Sequence, residues 1–383
     1  MSKLRGNAAI VGTAESDLGA VAPDMSPIDL MAQGTMRALD NCGLTLGEVD
    51  GIFVAASQSR MAAMSLVEYL GIQPKYFDST QIGGSSFMAH LTHAQAAIQS
   101  GMCETVVVAY GSTQRTVGRS TASAREPNPY EDPYKPMMPP SAYALAASRH
   151  MHEFGTTREQ IAEVAVAARK WAQLNPKSFM TDDLTVDQVL NSRMVSHPFT
   201  VRDCCLVTDG GGAIVITTPE RAKDLKQQPA YILGTGEAIT HAMISQMPDL
   251  TTSGTAISGP LAFRQAGVTP ADIDVLALYD AFTINVILFL EDLGYCEKGE
   301  GGAFVSGGRI APGGELAVNT SGGGLSYCHP GMYGLLVLIE AARQIQGVCG
   351  DRQQDNVKLT LAHGNGGVLS SQCTVILGSE DTL

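Results

Sequence analysis

The sequence repeats itself, and a repeat constrains a fold more than any single motif does. Residues 7–16, NAAIVGTAES, echo residues 229–238, PAYILGTGEA: an apolar run ends in Gly-Thr, followed by a small residue and Glu. LMAQGTMRALDNCGLTLGEVDGIFVA (30–55) parallels SGPLAFRQAGVTPADIDVLALYDAF (258–282). Each reads as a helix closed by glycine, a threonine opening a short turn, then a β-branched run. IGGSSFMAHLTHAQAAIQSG (82–101) stands beside SGGGLSYCHPGMYGLLVLIEAARQIQG (321–347), with glycines ahead of a turn and a helix that ends at Ile-Gln. VVVAYGS (106–112) parallels LTLAHGNGG (359–367), a buried strand emptying into a glycine turn. Two βαβ-type halves follow, about 1–225 and 226–383, each expected to give a mostly parallel sheet with right-handed crossovers.

One stretch has no counterpart in the second half. Between the strand at 106–110 and DGGGAIVIT (209–217) lies an insertion, about 113–205, that turns proline-rich at REPNPYEDPYKPMMPP (125–140) and then helical from Ser141 to about Asn175. It is too long for an ordinary connection and is expected to form a lid or loop domain over the active face.

With 44% hydrophobic and 16% charged residues and 41 glycines, the 383-residue chain can bury a large core; the mixture suits an α/β enzyme with many tight turns. A net charge of -13 argues against nucleic acid and anionic membranes as partners, since both demand clustered cations. No stretch of about 18 apolar residues is present, and MSKLRGNAAIVGTAES lacks the apolar core of a secretion signal. The eight cysteines form no CxxC pair and no framework, so reduced thiols and a cytoplasmic location are expected.

Fused repeats with a glycine turn before a helix in each half, and an HP-x-x-x-G turn in the second, resemble the thiolase superfamily over nearly the whole chain. The resemblance rests on NTSGGGLSYCHPGMYG (319–334), the YDAFT pentad (279–283) and RDCCLVTDGGGAIVI (202–216), and it is closest to the sterol-carrier-type thiolases and lipid-transfer proteins. It implies an α/β fold with duplicated βαβαβ halves, layered α/β/α/β/α, and the insertion as a loop domain. It also implies a coenzyme A thioester as substrate, no tightly bound cofactor or metal, and a homodimer. The substrate-binding positions it points to are Gly83, Gly84, Ser85, Asn319, Gly323 and Gly366.

The catalytic positions depart from the family's pattern. Thiolases open the helix after the third strand with a cysteine, where the helix end favours the thiolate. Here the matching turn is DSTQIGGSSFMAH, and Gly83 stands where the cysteine belongs. His363 occupies the place of the second cysteine, Tyr279 that of the usual Asn or His, and only His329 is retained. Tyr279, His329 and His363 can all move protons. Each has a plainer reading: a turn histidine bonding backbone, a packed aromatic with its hydroxyl bonded to Asp280 or the backbone, a strand-end cap. Cys328 beside His329 suggests a dyad, but adjacent residues rarely point at one another. Ser85 and Ser86 lack the geometry of the thiolate they would replace. His90 and His93 share a helix face without a third metal ligand.

Without a thiol, an acyl-enzyme is not expected; stabilising a thioester enolate remains possible. The superfamily contains aldolases that do this on steroid side-chain CoA thioesters with a small zinc-ribbon/OB-fold partner, and they resemble this chain at Tyr279 but carry a second tyrosine in place of His329. The implied activity is therefore (retro-)aldol cleavage of a β-hydroxyacyl-CoA, with a thiolase-type acyltransferase of the acetyl-CoA acetyltransferase class and a noncatalytic acyl-CoA-binding subunit as alternatives.

Overall fold

A computed structural model describes residues 4–117 and 128–383. Numbering only the longer helices, the first half runs β1 (Ala9–Glu15), α1 (Pro27–Cys42), β2 (Gly51–Val54), α2 (Ala62–Leu70), β3 (Tyr76–Asp78), α3 (Ser86–Gln99) and β4 (Thr105–Ser112). The insertion adds α4 (Pro140–Phe154), α5 (Arg158–Gln173) and a short ribbon, β5 (Met194–Ser196) with β6 (Phe199–Thr200), before β7 (Gly210–Thr217). Then come β8 (Ala230–Ile239), α6 (Thr255–Ala266), β9 (Val275–Leu278), α7 (Thr283–Asp292), β10 (Ala317–Val318), α8 (Gly334–Gln346), β11 (Leu359–Gly366) and β12 (Ser371–Gly378).

The strands hydrogen-bond in the order β10-β9-β11-β12-β8-β1-β7-β4-β2-β3, so each half uses the same five-strand order and the halves meet where β1 pairs with β8. The repeat extends to the caps. α1 ends at Gly43 and α6 at Gly267, both left-handed, and Thr45 with Glu48 and Thr269 with Asp272 form matching capping boxes. Gly12 of β1 and Gly234 of β8 also do one job: a Cβ at either would lie 2.4 or 2.2 Å from a backbone oxygen of the helix above, Ala38 or Ala262.

The sheet corrects one expectation. β2 pairs in parallel with β3 and β4, and β9 with β10 and β11, but β7 runs antiparallel to both β4 and β1, and β12 to both β11 and β8. The sheets are mixed rather than mostly parallel. In the second half a tight turn between β11 and β12 forces the reversal, and the first half keeps the geometry although its connection is the long insertion.

Helices α3 and α8 pack against each other between the two halves of the sheet: α3 reaches β8, β11 and β12, and α8 reaches β1 and β7. α1 covers the outer face of β1, β4 and β7, and α6 that of β8 and β12. This is the expected α/β/α/β/α layering. It explains why β1, β4, β7, β11 and β12 are buried along their whole length and read as continuous apolar or small-residue runs.

The helical pattern expected from Ser141 to Asn175 is two helices, broken at Gly155 (φ 73°) and restarted by a Thr157 capping box. Residues 125–127, at the head of the proline-rich stretch, lie outside the described residues. The insertion packs on the glycine turns. Arg169 on α5 donates to Ser326 Oγ (3.0 Å), Asn175 to the Ser321 carbonyl (2.9 Å), and the Tyr143 hydroxyl on α4 to the Gly367 carbonyl (3.0 Å).

Candidate active site

The site forms where β9 ends, α8 begins and the turn before α3 arrives. Tyr279 follows β9 directly, and its N–H donates to the His363 carbonyl (3.0 Å). A one-turn helix with i→i+5 spacing, Gly323–Tyr327, leads to His329, whose N–H donates to Thr208 Oγ1 (3.0 Å). The rings of Tyr279 and His329 meet edge to face with centroids 5.5 Å apart, and Tyr333 closes a triangle with them, stacked on His329 at 5.8 Å and edge-on to Tyr279 at 5.6 Å.

Two tyrosine hydroxyls hold the His329–Gly334 turn. Tyr279 donates to the Gly331 carbonyl (3.0 Å) and accepts from the Tyr333 N–H (3.0 Å); Tyr110 donates to the Pro330 carbonyl (2.5 Å) and accepts from the Met332 N–H (3.0 Å). Neither hydroxyl reaches Asp280; that of Tyr279 bonds backbone groups, one of the two partners its plainer reading allowed.

His329 is the exception in this network. Both of its ring nitrogens are buried and have no hydrogen-bond partner among the described residues. A buried polar group left unpaired calls for an occupant, since each costs about 1–3 kcal/mol. Burial holds the imidazole down at about 4, so it is neutral near pH 7; burial likewise raises the Tyr279 hydroxyl well above its ordinary range, so it keeps its proton.

His363 does not join them. Its Nδ1 meets Thr374 Oγ1 (2.9 Å), and its Nε2 meets Thr255 Oγ1 and Gln372 Oε1 (2.9 Å each), with Phe289 against the ring. Both ring nitrogens are thus satisfied, and no ring contact with Tyr279 or His329 is among those of the described residues. Asn319, with φ 55°, accepts the Leu278 N–H (2.6 Å) and pins β9 to the glycine turn.

The remaining expected binding positions form a packed knot. At Gly83 (φ 75°) a Cβ would lie 2.7 Å from Gly366 Cα and 2.9 Å from Gly367 N; at Gly366 it would lie 1.8 Å from the Ile82 carbonyl oxygen. Ser85 is buried, its hydroxyl 2.5 Å from Ser371 Oγ and 3.0 Å from the Ile82 carbonyl. Gly84 is the one that faces the pair: a Cβ there would meet the Tyr279 ring at 2.2 Å. At Gly323 (φ 62°) a Cβ would collide with the Asp280 carboxylate, and at Gly324 it would lie 2.9 Å from His329 Cδ2.

All eight thiols are pushed above their ordinary value, burial being the largest cause in each. Cys328, raised to about 12, sits 3.4 Å from Thr208 Oγ1. His93 Nδ1 lies 2.6 Å from Asp78, with His90 buried beside them. Clefts of about 650 and 600 Å³ open elsewhere, beside Glu15 and Arg343 and at the Ser306–Glu315 loop; Tyr279 and His329 line neither. The sequence offers Asp280 only as a partner for Tyr279 and assigns nothing to Tyr333 or Tyr110, although all three lie inside stretches that carry the repeat or the resemblance.

A duplicated five-strand sheet, two helices paired between its halves and a glycine turn heading each helix define a thiolase-type fold. The chain belongs to the thiolase superfamily, and residues 236–379 match its C-terminal domain-like family. It is 33% identical to the 17-hydroxy-3-oxo-4-pregnene-20-carboxyl-CoA lyase of Mycobacterium tuberculosis, over 90% of this chain and 92% of that one. It is 30% identical to an acetyl-CoA acetyltransferase of Methanothermobacter thermautotrophicus, over 94% and 96%. A solved Ltp2-ChsH2(DUF35) aldolase superposes with a TM-score of 0.88 at 30% identity over the full length of both chains.

Proposed function

We propose that this chain is an acyl-CoA carbon–carbon lyase that cleaves a β-hydroxyacyl-CoA by retro-aldol chemistry, with no covalent acyl-enzyme. The observation that carries this reading is position 83. The place where the family's nucleophile stands holds a glycine whose backbone conformation and surroundings admit no side chain, and every thiol is raised rather than activated. The lyase and aldolase among its relatives support the same reaction.

The step follows from the two side chains. Neutral His329 takes the β-hydroxyl proton as the Cα–Cβ bond breaks. The electron pair of that bond passes into the thioester as an enolate, and the former hydroxyl carbon leaves as a carbonyl compound. The imidazolium returns its proton to the α-carbon, giving a shorter acyl-CoA. Tyr279, still protonated, turns its O–H from the Gly331 carbonyl to the enolate oxygen. The knot of Gly83, Gly84, Ser85 and Gly366 closes the wall beside it.

The DUF35 protein named with the solved aldolase supports a small zinc-ribbon/OB-fold partner here. A homodimer is part of the proposal, supported by the end strand β3 with Phe77 69% exposed. So are the division at about residue 225, supported by the repeated strand order, and the cytoplasm, supported by eight free cysteines. No helix among the described residues is long and apolar enough to cross a membrane.

The test is turnover of β-hydroxyacyl-CoA esters by the chain co-expressed with a DUF35-type partner, before and after iodoacetamide. Release of a shorter acyl-CoA and a carbonyl product, unaffected by the reagent and lost in His329→Ala, is expected. An iodoacetamide-sensitive activity with an acyl-enzyme seen by mass spectrometry would establish the acyltransferase reading favoured by the acetyltransferase relative. Tight acyl-CoA binding without turnover would leave a binding subunit.

A further inference from the structure

Asp280 takes no part in the step above, yet it is the most conspicuous buried charge near it. Its carboxylate is fully buried and no cation is among the groups that shift it. It accepts the Gly324 N–H at 2.6 Å and the Leu325 N–H at 3.3 Å, with the Asn319 side chain also bonding to it. Gly323 packs so tightly that a Cβ there would come 2.0 Å from Oδ2. The turn Gly323–Tyr327 is thus wrapped around the carboxylate. Gly324, which donates the shorter bond, also lies against the His329 ring: a Cβ there would come 2.9 Å from His329 Cδ2 and 3.3 Å from Asp280 Oδ1.

We propose that Asp280, in its charged form, is a positioning residue that holds the Gly323–Tyr327 turn and, through Gly324, sets where the His329 ring stands. The inference rests on His329 being the acid/base group of the proposed reaction. Protonating Asp280 turns one of its two oxygens into a donor; the N–H facing that oxygen loses its partner and the turn loses part of its anchor.

Burial pushes Asp280 up to about 7, the N–H groups and Asn319 offsetting only part of it. The titratable groups around it are Tyr279 beside it in the chain, Tyr333 at the start of α8, Cys205 ahead of β7 and His329 across Gly324. The tyrosines and the thiol are raised and stay protonated, and His329, at about 4, stays neutral. Asp280 alone among them changes charge near neutral pH, so the positioning is a pH-dependent property of the site.

Two readouts test this, one of them independent of turnover. In protein carrying 13Cε1-labelled histidine, the His329 signal, assigned by its loss in His329→Gln, is expected to shift with an inflection near pH 7. That inflection is expected to vanish in Asp280→Asn and to persist, displaced, in Asp280→Glu. In the enzyme assay, kcat/KM should fall on the acid side of the same pH. Asp280→Asn should be flat there, with kcat down about a hundredfold and KM within about threefold of the parent. A His329 signal that does not move through pH 7, or an inflection kept in Asp280→Asn, overturns the proposal. If Asp280→Asn fails to fold, the parent's His329 titration decides alone. If no acyl-CoA is cleaved at all, the reaction assignment fails while the NMR titration still settles what Asp280 does.

Discussion

Replacing Tyr279 by phenylalanine separates a chemical role from a structural one, because Tyr110 supplies a matched control. Each hydroxyl donates to one carbonyl and accepts one N–H within the same turn, and each is buried. Deleting either leaves one buried C=O and one buried N–H unpaired. At about 1–3 kcal/mol per buried unsatisfied group, less what relaxation recovers, both variants should lose roughly 2–4 kcal/mol of stability. Only Tyr279 meets the His329 ring; Tyr110 packs instead on Phe87 at 5.2 Å. The loss of a donor to the developing enolate oxygen costs about 3 kcal/mol more in the transition state, or about 10²-fold. Urea unfolding and kcat/KM on the same preparations read the two quantities. Tyr110→Phe and Tyr279→Phe should shift unfolding alike, while Tyr279→Phe loses about a hundredfold more activity. Equal losses of activity at equal losses of stability would show that Tyr279 serves the turn alone, and the proton-handling role would be abandoned.

Three other outcomes follow from the same geometry. Gly83→Cys should not create a thiolase: the left-handed backbone and the Gly366 and Gly367 backbone atoms within 3 Å of a Cβ should lower stability by roughly 1–3 kcal/mol, read by urea unfolding. A folded, acyl-labelled Gly83→Cys protein in the mass spectrometer would contradict that. Gly324→Ala places a methyl 2.9 Å from His329 Cδ2 and 3.3 Å from Asp280 Oδ1, so kcat should drop about tenfold or more with little change in KM; unchanged kcat would mean the ring's position is not set there. His363 is held down at about 4 against an ordinary 6.5, so between those values the unfolded chain binds the proton that the folded chain refuses. Its contribution is therefore present above pH 6.5 and lost as pH falls to 4, on the order of 2–3 kcal/mol. His363→Gln should flatten the stability profile in that window without abolishing turnover, and a variant that folds normally but is inert would return His363 to the site.

The repeat was legible because it is written in short-range rules. Gly43 and Gly267 close their helices and Thr45 and Thr269 cap their turns whatever lies opposite, so element order and the duplicated sheet follow from local pattern. The glycine at 83 and the histidine at 329 could be pointed to as well, but only through the resemblance to the thiolase superfamily, which says what each position usually holds. Strand direction was not: nothing local in DGGGAIVIT distinguishes a strand running with β4 from one running against it. That choice is made by the neighbours it must hydrogen-bond.

The site divides along the same line. The sequence by itself determined which proton-bearing residues the chain owns and that no cysteine opens α3. The tertiary structure decided which of them meet. It turned His363 toward Thr255, Gln372 and Thr374, brought Tyr279 edge-on to His329, left the imidazole without a partner among the described residues and wrapped a glycine turn around Asp280. The reason is that burial and unpaired donors are properties of surroundings assembled from β9, β11, α8 and the turn before α3. These segments are far apart in the chain, and no local pattern in any one of them encodes what the others place against it.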